Sequence, residues 1–548
     1  MKMFKRAAAF CAAVVMSLSV SATAFAAGNG GDRTLVVTGD TLDNKNVYAV
    51  QMFDARVEGE TEDYTFDSYV LADDDWIPFF TSGTGEGGIG LTDQDGDDDV
   101  DTDDVRAYLE KLSDESTDIK TLADKAQAWV RNNSGNFTVL TATASADRAT
   151  FTDLKAGYYL VYPEGGSAGN GNRGTDAMLV NVPRDNNAVL NIKSTYPTVD
   201  KKVDTDNEGP GAAADNSSAQ VGDIVTFTLT SKVPDMSDYT TFYFGFTDTL
   251  SNGLKIVDST GAAVQDGDNR TIDNLTVTIG GETAVGYTVS LHSNVLKVEF
   301  SDLKSVTEAD ETEDAGKEIV VTYKAMITEG AVTNNPALNT VKVEYSNDPT
   351  TSTKGESTTD ESKVYTYEID VNKWATDAGG KTGNLAGAKF VLSTSKTLTS
   401  GESDPSVIKL VGSGEDYRVA KPDEDDAVTS FTTTAVGDVT IAGLEGSAAP
   451  GTTYYLHEIE APAGYNKLKA PITIVIELTN AETGDATITV DGSPANGSDG
   501  TVVDVENKKG IELPETGSIG TIGLTVAGVA IVLLGVFAPR KKKKNDQE

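Results

Sequence analysis

Two strand-like segments place a lysine among apolar residues: Val199-Asp200-Lys201-Lys202-Val203 and Ile369-Asp370-Val371-Asn372-Lys373-Trp374. With the two-residue period of a strand, Lys201 falls on the same face as Val199 and Val203, and Lys202 faces the other way. Burial penalises the charged form of a lysine, and the neutral amine that results is a nucleophile. Other chemistries have little to run on. The single cysteine, Cys11, stands in an N-terminal export segment, so the exported chain has no thiol for a disulfide, a nucleophile or a thiolate metal site. The two histidines, His292 and His457, fall in no metal-ligand or triad pattern. The acidic run Asp93-Gln94-Asp95-Gly96-Asp97-Asp98-Asp99 offers carboxylates to a hard cation but lacks EF-hand spacing, and a solvated loop is the expectation. No metal and no cofactor are therefore expected.

The two ends read as addresses. Lys2, Lys5 and Arg6 precede an apolar run, Ala7 to Val20, and small residues ending at Ala26, the pattern of a secretory signal peptide over 1–26. At the other end, Leu513-Pro514-Glu515-Thr516-Gly517 is followed by an apolar stretch from Ile519 to Ala538 and by Arg540 and Lys541–Lys544. That stretch is long enough to cross a bilayer, with the basic cluster held on the cytoplasmic side. The three-part arrangement over 510–548 resembles the sorting signal of sortase substrates. The resemblance implies cleavage between Thr516 and Gly517 by a separate enzyme and transfer of the Thr516 acyl group to an amine. Membrane contact would then be confined to the C-terminal segment before sorting.

Between the addresses, short alternating runs rich in Thr, Val and Tyr read as strands, for example Val225–Leu229, Ile319–Tyr323 and Ile472–Ile476. Val105 to Val130 breaks the trend with helical spacing. The expected fold is mainly β: tandem immunoglobulin-like β-sandwich domains, with a helical insertion in the N-terminal domain. Expected domains are 27–195, 196–364 and 365–509. A formal net charge of −41 argues against a nucleic-acid partner, which needs clustered Lys and Arg, and fits a soluble, self-repelling extracellular surface.

Three stretches of the last domain, Leu385–Leu392 after Lys373, Tyr454–Tyr465, and Val505-Glu506-Asn507-Lys508-Lys509, resemble collagen-adhesin B-type domains of Gram-positive pilins and adhesins. The middle stretch is similar to their E-box, with Ile459 in place of the usual threonine. The resemblance implies that Lys373 condenses with Asn507, assisted by Glu458, with Glu460 as the competing carboxylate. In the second domain, Tyr243–Leu254 and Asn339–Asn347 resemble the isopeptide-forming middle domain of fimbrial backbone proteins, which implies Lys201, Asp248 and Asn339, with Asn335 as rival amide. Physically, a buried carboxyl stays protonated, polarises the amide carbonyl and shuttles protons, while proximity does the rest. Phe151–Val161 is similar to the edge leading into an E-box, but Tyr162-Pro163-Glu164-Gly165 departs from it. No lysine and asparagine pair flanks this stretch, and no cross-link is expected within the first domain.

In related backbone subunits an acceptor lysine lies in a YPK-type motif. Here Tyr196-Pro197-Thr198 has threonine at that place, leaving Lys193 as candidate acceptor and Lys202 as runner-up. The expected function is a structural, non-enzymatic subunit of a sortase-assembled pilus at the cell wall. Its partners would be sortase and either peptidoglycan or neighbouring pilin subunits. The alternative is a monomeric wall-anchored adhesin binding a host or glycan ligand.

Overall fold

Alternation of buried and exposed residues runs through the long strands such as Ile224–Lys232 and Ala337–Ser346, which lend one face to a core, whereas Gly157–Pro163 and Lys389–Ser393 are buried at almost every position. The computed structural model describes residues 33–509 apart from short internal stretches, the longest being 57–67 and 165–176. The signal peptide, Lys193, the Leu513–Gly517 pentapeptide and the apolar C-terminal stretch lie outside the described residues, as do Asp95, Asp97 and Asp98 of the acidic run. Among the described residues no group of side chains is arranged to hold a metal ion, and no helix is long and apolar enough to cross a membrane.

The chain divides into two compact units, Met1–Thr366 with Ala481–Gly484, and Tyr367–Asn480 with Asp485–Glu548. The fold is mainly β. In the first unit, Arg33–Thr38 pairs with Arg148–Leu154 and Ala188–Asn191, and Asn46–Arg56 lies at the centre of a five-stranded sheet. The helix expected over Val105–Val130 is two helices, Thr102–Leu109 and Thr117–Asn132. The intervening sequence is rich in Ser and Asp, which compete with helical backbone hydrogen bonds. Together with the short helix Ile77–Thr81, these helices bury Phe79, Phe80, Val105, Leu122 and Val130 with Trp76 against Val50, Met52 and Leu160.

The rest of the first unit pairs a six-stranded sheet, with Asp200–Asp204 at its edge beside Ile224–Lys232, with a seven-stranded sheet. In the latter, Ala337–Ser346 lies between Phe244–Leu250 and Asp360–Tyr365. The second unit is built from two six-stranded sheets. Pairing is mostly antiparallel, but Tyr367–Asp377 and Val502–Lys508 run parallel, Lys373 opposite Val505 and Ala375 opposite Asn507. Hydrophobic alternation specifies which face is buried and carries no information on the direction of the neighbour.

Candidate functional site

On the strand Asp200–Asp204 the buried positions are Lys201 and Val203, with Val199 just before it half-buried; the Lys201 side chain is fully enclosed. Its Nζ donates to Asp248 Oδ1 at 2.7 Å, with both side chains at 0 % exposure, and stands 5.0 Å from the centre of the Phe227 ring. Asp248 shares its face of Phe244–Leu250 with Phe246 and Leu250. Asn339 stands opposite Leu250 in the register, so it is the diagonal neighbour of Asp248 on the same face. Between them stands Tyr323, which donates its hydroxyl to Asp248 Oδ2 at 2.5 Å and accepts from Asn339 Nδ2 at 2.6 Å. Lysine, aspartate, tyrosine and asparagine thus form one buried hydrogen-bonded chain. Burial pulls the Lys201 amine below the usual lysine value against the opposing influence of Asp248 and Asp360. Burial also holds the Tyr323 phenol well above its ordinary value, so it remains a hydrogen-bond donor.

The second constellation is built differently. Ile369, Val371, Lys373 and Ala375 alternate inward on Tyr367–Asp377, all at 0 % exposure. On the adjacent parallel strand Val503, Val505 and Asn507 do the same. Lys373 and Asn507 are therefore neighbours on one face of one sheet, and Glu458 reaches them from Thr452–Glu460 in the other. Lys373 Nζ donates to the carbonyls of Val505 at 3.1 Å and Trp374 at 3.3 Å. Glu458 accepts from Asn507 Nδ2 at 2.8 Å and from the Leu468 amide at 2.7 Å. Burial lowers the Lys373 pKa to about 8, although Glu458 and Glu506 act in the other direction.

One feature is common to both. Asn339 Oδ1 and Asn507 Oδ1 are buried with no hydrogen-bond partner, while each amide nitrogen is engaged. An unpaired buried acceptor costs about 1–3 kcal/mol, and such groups persist where a site does chemistry. The acid was expected to polarise this carbonyl. Glu458 instead meets the amide at nitrogen, the atom that must leave, and in the first site Tyr323 occupies that place. The arrangement suits proton delivery to a departing nitrogen and leaves the carbonyl carbon open to a neighbouring amine.

The sequence motifs locate both lysines, both carboxyls and both asparagines that the structure brings together. The rivals stand apart. Glu460 and Asn335 are exposed, and Lys202 is half-exposed between Asp200, at 3.1 Å, and Asp215. Sequence reasoning missed Tyr323. Its signal was present in the alternation of Ile319, Val321 and Tyr323, because a phenol on an inward face needs a polar partner. The lysine and asparagine also do not always join neighbouring strands: Lys201 belongs to the six-stranded sheet and Asn339 to the seven-stranded one, so any bond between them crosses the sandwich.

Residues 368–492 match the family described as a SpaA prealbumin-like fold domain, and residues 505–548 match the LPXTG cell wall anchor motif. No curated protein matches the chain. Among solved structures, the chain is similar to the full-length major pilin SpaD from Corynebacterium diphtheriae. Identity is 18 %, over 87 % of this chain and 97 % of that one, at a TM-score of 0.38. For the major pilin SpaA of the same organism the values are 17 %, 87 %, 100 % and 0.43. For the T6 backbone pilin of serotype M6 Streptococcus pyogenes they are 15 %, 87 %, 99 % and 0.42. The chain carries a SpaA prealbumin-like domain followed by an LPXTG cell wall anchor, and it is a wall-anchored surface protein.

Proposed function

We propose that the protein is a structural subunit of a sortase-assembled pilus, joined through Thr516 to the wall or to a neighbouring subunit. In this reading it is hardened by two intramolecular isopeptide bonds, Lys201 to Asn339 and Lys373 to Asn507. The observation that carries this reading is the pair of fully buried lysines, each gathered with a buried carboxyl and a buried asparagine, in a chain with no cysteine after Cys11 and with a wall anchor. In each site the neutral amine attacks the amide carbon and its proton passes to the amide nitrogen, through Glu458 in one site and from Asp248 by way of the Tyr323 hydroxyl in the other, and ammonia leaves. This is one self-processing event per site, with Asp248 and Glu458 as promoters and no turnover, and the chain is not an enzyme.

The functional organisation in this reading is three modules, 27–195, 196–364 and 365–509, of which the last two are each stapled internally. A staple closing a loop of about 130 residues stabilises by about 5 kcal/mol on the chain-entropy argument. Its mechanical effect is larger, because tension passing through the stapled strands loads a covalent bond and the sheet cannot unzip. Lys193 remains the proposed acceptor for the next subunit's Thr516, with Lys202 second.

Wall extracts boiled in detergent and probed with antibody test the assembly. A high-molecular-weight ladder that collapses on Thr516→Ala supports a polymer. A single wall-linked band, unchanged by loss of Lys193 and Lys202, refutes it and favours a monomeric anchored protein.

A further inference from the structure

A third buried lysine lies where the first module meets the second. Lys45 immediately precedes Asn46–Arg56 and is 7 % exposed. Its Nζ stands 5.1 Å from the centre of the Tyr196 ring and 5.4 Å from that of Tyr345, and it donates to the backbone carbonyl of Glu356. Tyr345 and Asn347 share one face at the end of Ala337–Ser346, and Asn347 is 8 % exposed. Gly355 lies directly on both, since a Cβ there would come within 3.0 Å of the Tyr345 ring and 3.1 Å of Asn347 Cβ. The Glu356 carbonyl that accepts from Lys45 follows that glycine, and Glu164, whose charge acts on the Lys45 amine, also bonds Asn347, so amine and amide share one carboxyl. The third partner is Glu164. Its Oε1 accepts from Asn347 Nδ2 at 3.4 Å, its Oε2 accepts from the Asn46 amide at 3.0 Å, and its backbone carbonyl accepts from the Tyr196 hydroxyl at 2.5 Å. Burial lowers the Lys45 pKa while Glu164 and Glu356 oppose it, the same balance as at Lys373.

The carboxyl meets the asparagine at its amide nitrogen, as Glu458 meets Asn507, but here the carbonyl is also engaged: Asn347 Oδ1 accepts from the Thr353 hydroxyl at 2.8 Å, which would polarise it toward attack. We propose that Lys45, Glu164 and Asn347 form a third condensation site, one that covalently joins the first module to the second. The neutral Lys45 Nζ attacks Cγ of Asn347 and the Cγ–Nδ2 bond breaks. Glu164 carries the amine proton to the departing nitrogen, which leaves as ammonia, and no oxidant or cofactor enters. The amide partner comes from the second module, which is why no lysine–asparagine pair is legible within the first. The result would close the one joint of the first unit that neither of the other two staples spans, which a subunit under tension requires.

The proposal rests on the same amine-amide chemistry proposed for the other two sites, and peptide mapping separates the two claims. Mature full-length protein is measured by intact mass and then digested, and branched peptides are sequenced. Three losses of about 17 Da are expected, one ammonia per condensation, with a branched peptide linking Lys45 to Asn347. Glu164→Gln, which keeps the size of the side chain but can accept at only one of its two terminal positions, should restore one ammonia mass and remove that branched peptide alone. If the 201–339 and 373–507 branched peptides form while Lys45 and Asn347 are recovered in linear peptides, the third site is overturned. If no branched peptide forms anywhere, the underlying chemistry falls with it. If Glu164→Gln condenses as fully as the parent, the role given to Glu164 is wrong.

Discussion

Replacing Lys373 with methionine separates the covalent staple from the packing around it. Methionine has nearly the length of lysine and no charge to bury, so at a position with 0 % exposure between Val371 and Ala375 it should relieve a desolvation penalty. Packing and solvation alone therefore predict an unchanged or slightly more stable C-terminal unit. The staple predicts the opposite. Opening a loop of about 130 residues returns about 5 kcal/mol of chain entropy to the unfolded state. For a domain of this size each kcal/mol shifts Tm by about 2–4 °C, so the fall should be about 10–20 °C. The assay is differential scanning calorimetry of the full mature chain, with intact mass on the same sample. The variant should lack one of the ammonia losses and its lower-melting transition should belong to residues 367–509. A variant melting at or above the parent, with the parent carrying the 373–507 branched peptide, would refute the claim that the bond is a main source of stability.

Tyr323→Phe removes the hydroxyl that bridges Asp248 and Asn339 with almost no change in volume; condensation at Lys201 should slow by about 10²–10⁴-fold, read as unreacted mass in freshly folded chain. Undiminished reaction would reduce Tyr323 to a structural partner. Formation of the 373–507 bond should quicken about tenfold per pH unit up to about pH 8 and then level off, because only the neutral amine attacks. The same shift makes the uncondensed unit, trapped as Asn507→Ala, gain stability as pH rises from about 8 towards 10.5. The unfolded chain keeps its lysine proton through that range and the folded one does not. A water-soluble amine label should modify Lys202 in the folded protein and spare Lys201 and Lys373; labelling of either buried lysine at the rate of Lys202 would contradict their enclosure.

Alternation within single strands was sufficient to place Lys201 inward and Lys202 outward, because side-chain direction in a strand is a local property. The sorting signal was equally legible, since its three parts are contiguous in sequence. Motif likeness singled out Glu458 over Glu460, and the inward face of Thr452–Glu460, which also carries Tyr454 and Leu456, agrees with that choice. The helical segment was legible as helix but not as two helices, because the break depends on a short polar stretch that periodicity does not weigh.

What the amino-acid order determined by itself was therefore local or contiguous: the wall anchor, a β-rich chain with no cysteine after Cys11, and that Lys201 and Lys373 turn inward. Only the tertiary structure decided that Lys373 and Asn507 lie on parallel neighbours of one sheet while Lys201 and Asn339 face each other across two. It alone brought Tyr323 between Asp248 and Asn339, and Asn347 to Glu164 beside Lys45. These are encounters between residues far apart in the chain, set by how sheets pair and pack. Strand periodicity specifies a face and is silent about which distant face it will meet.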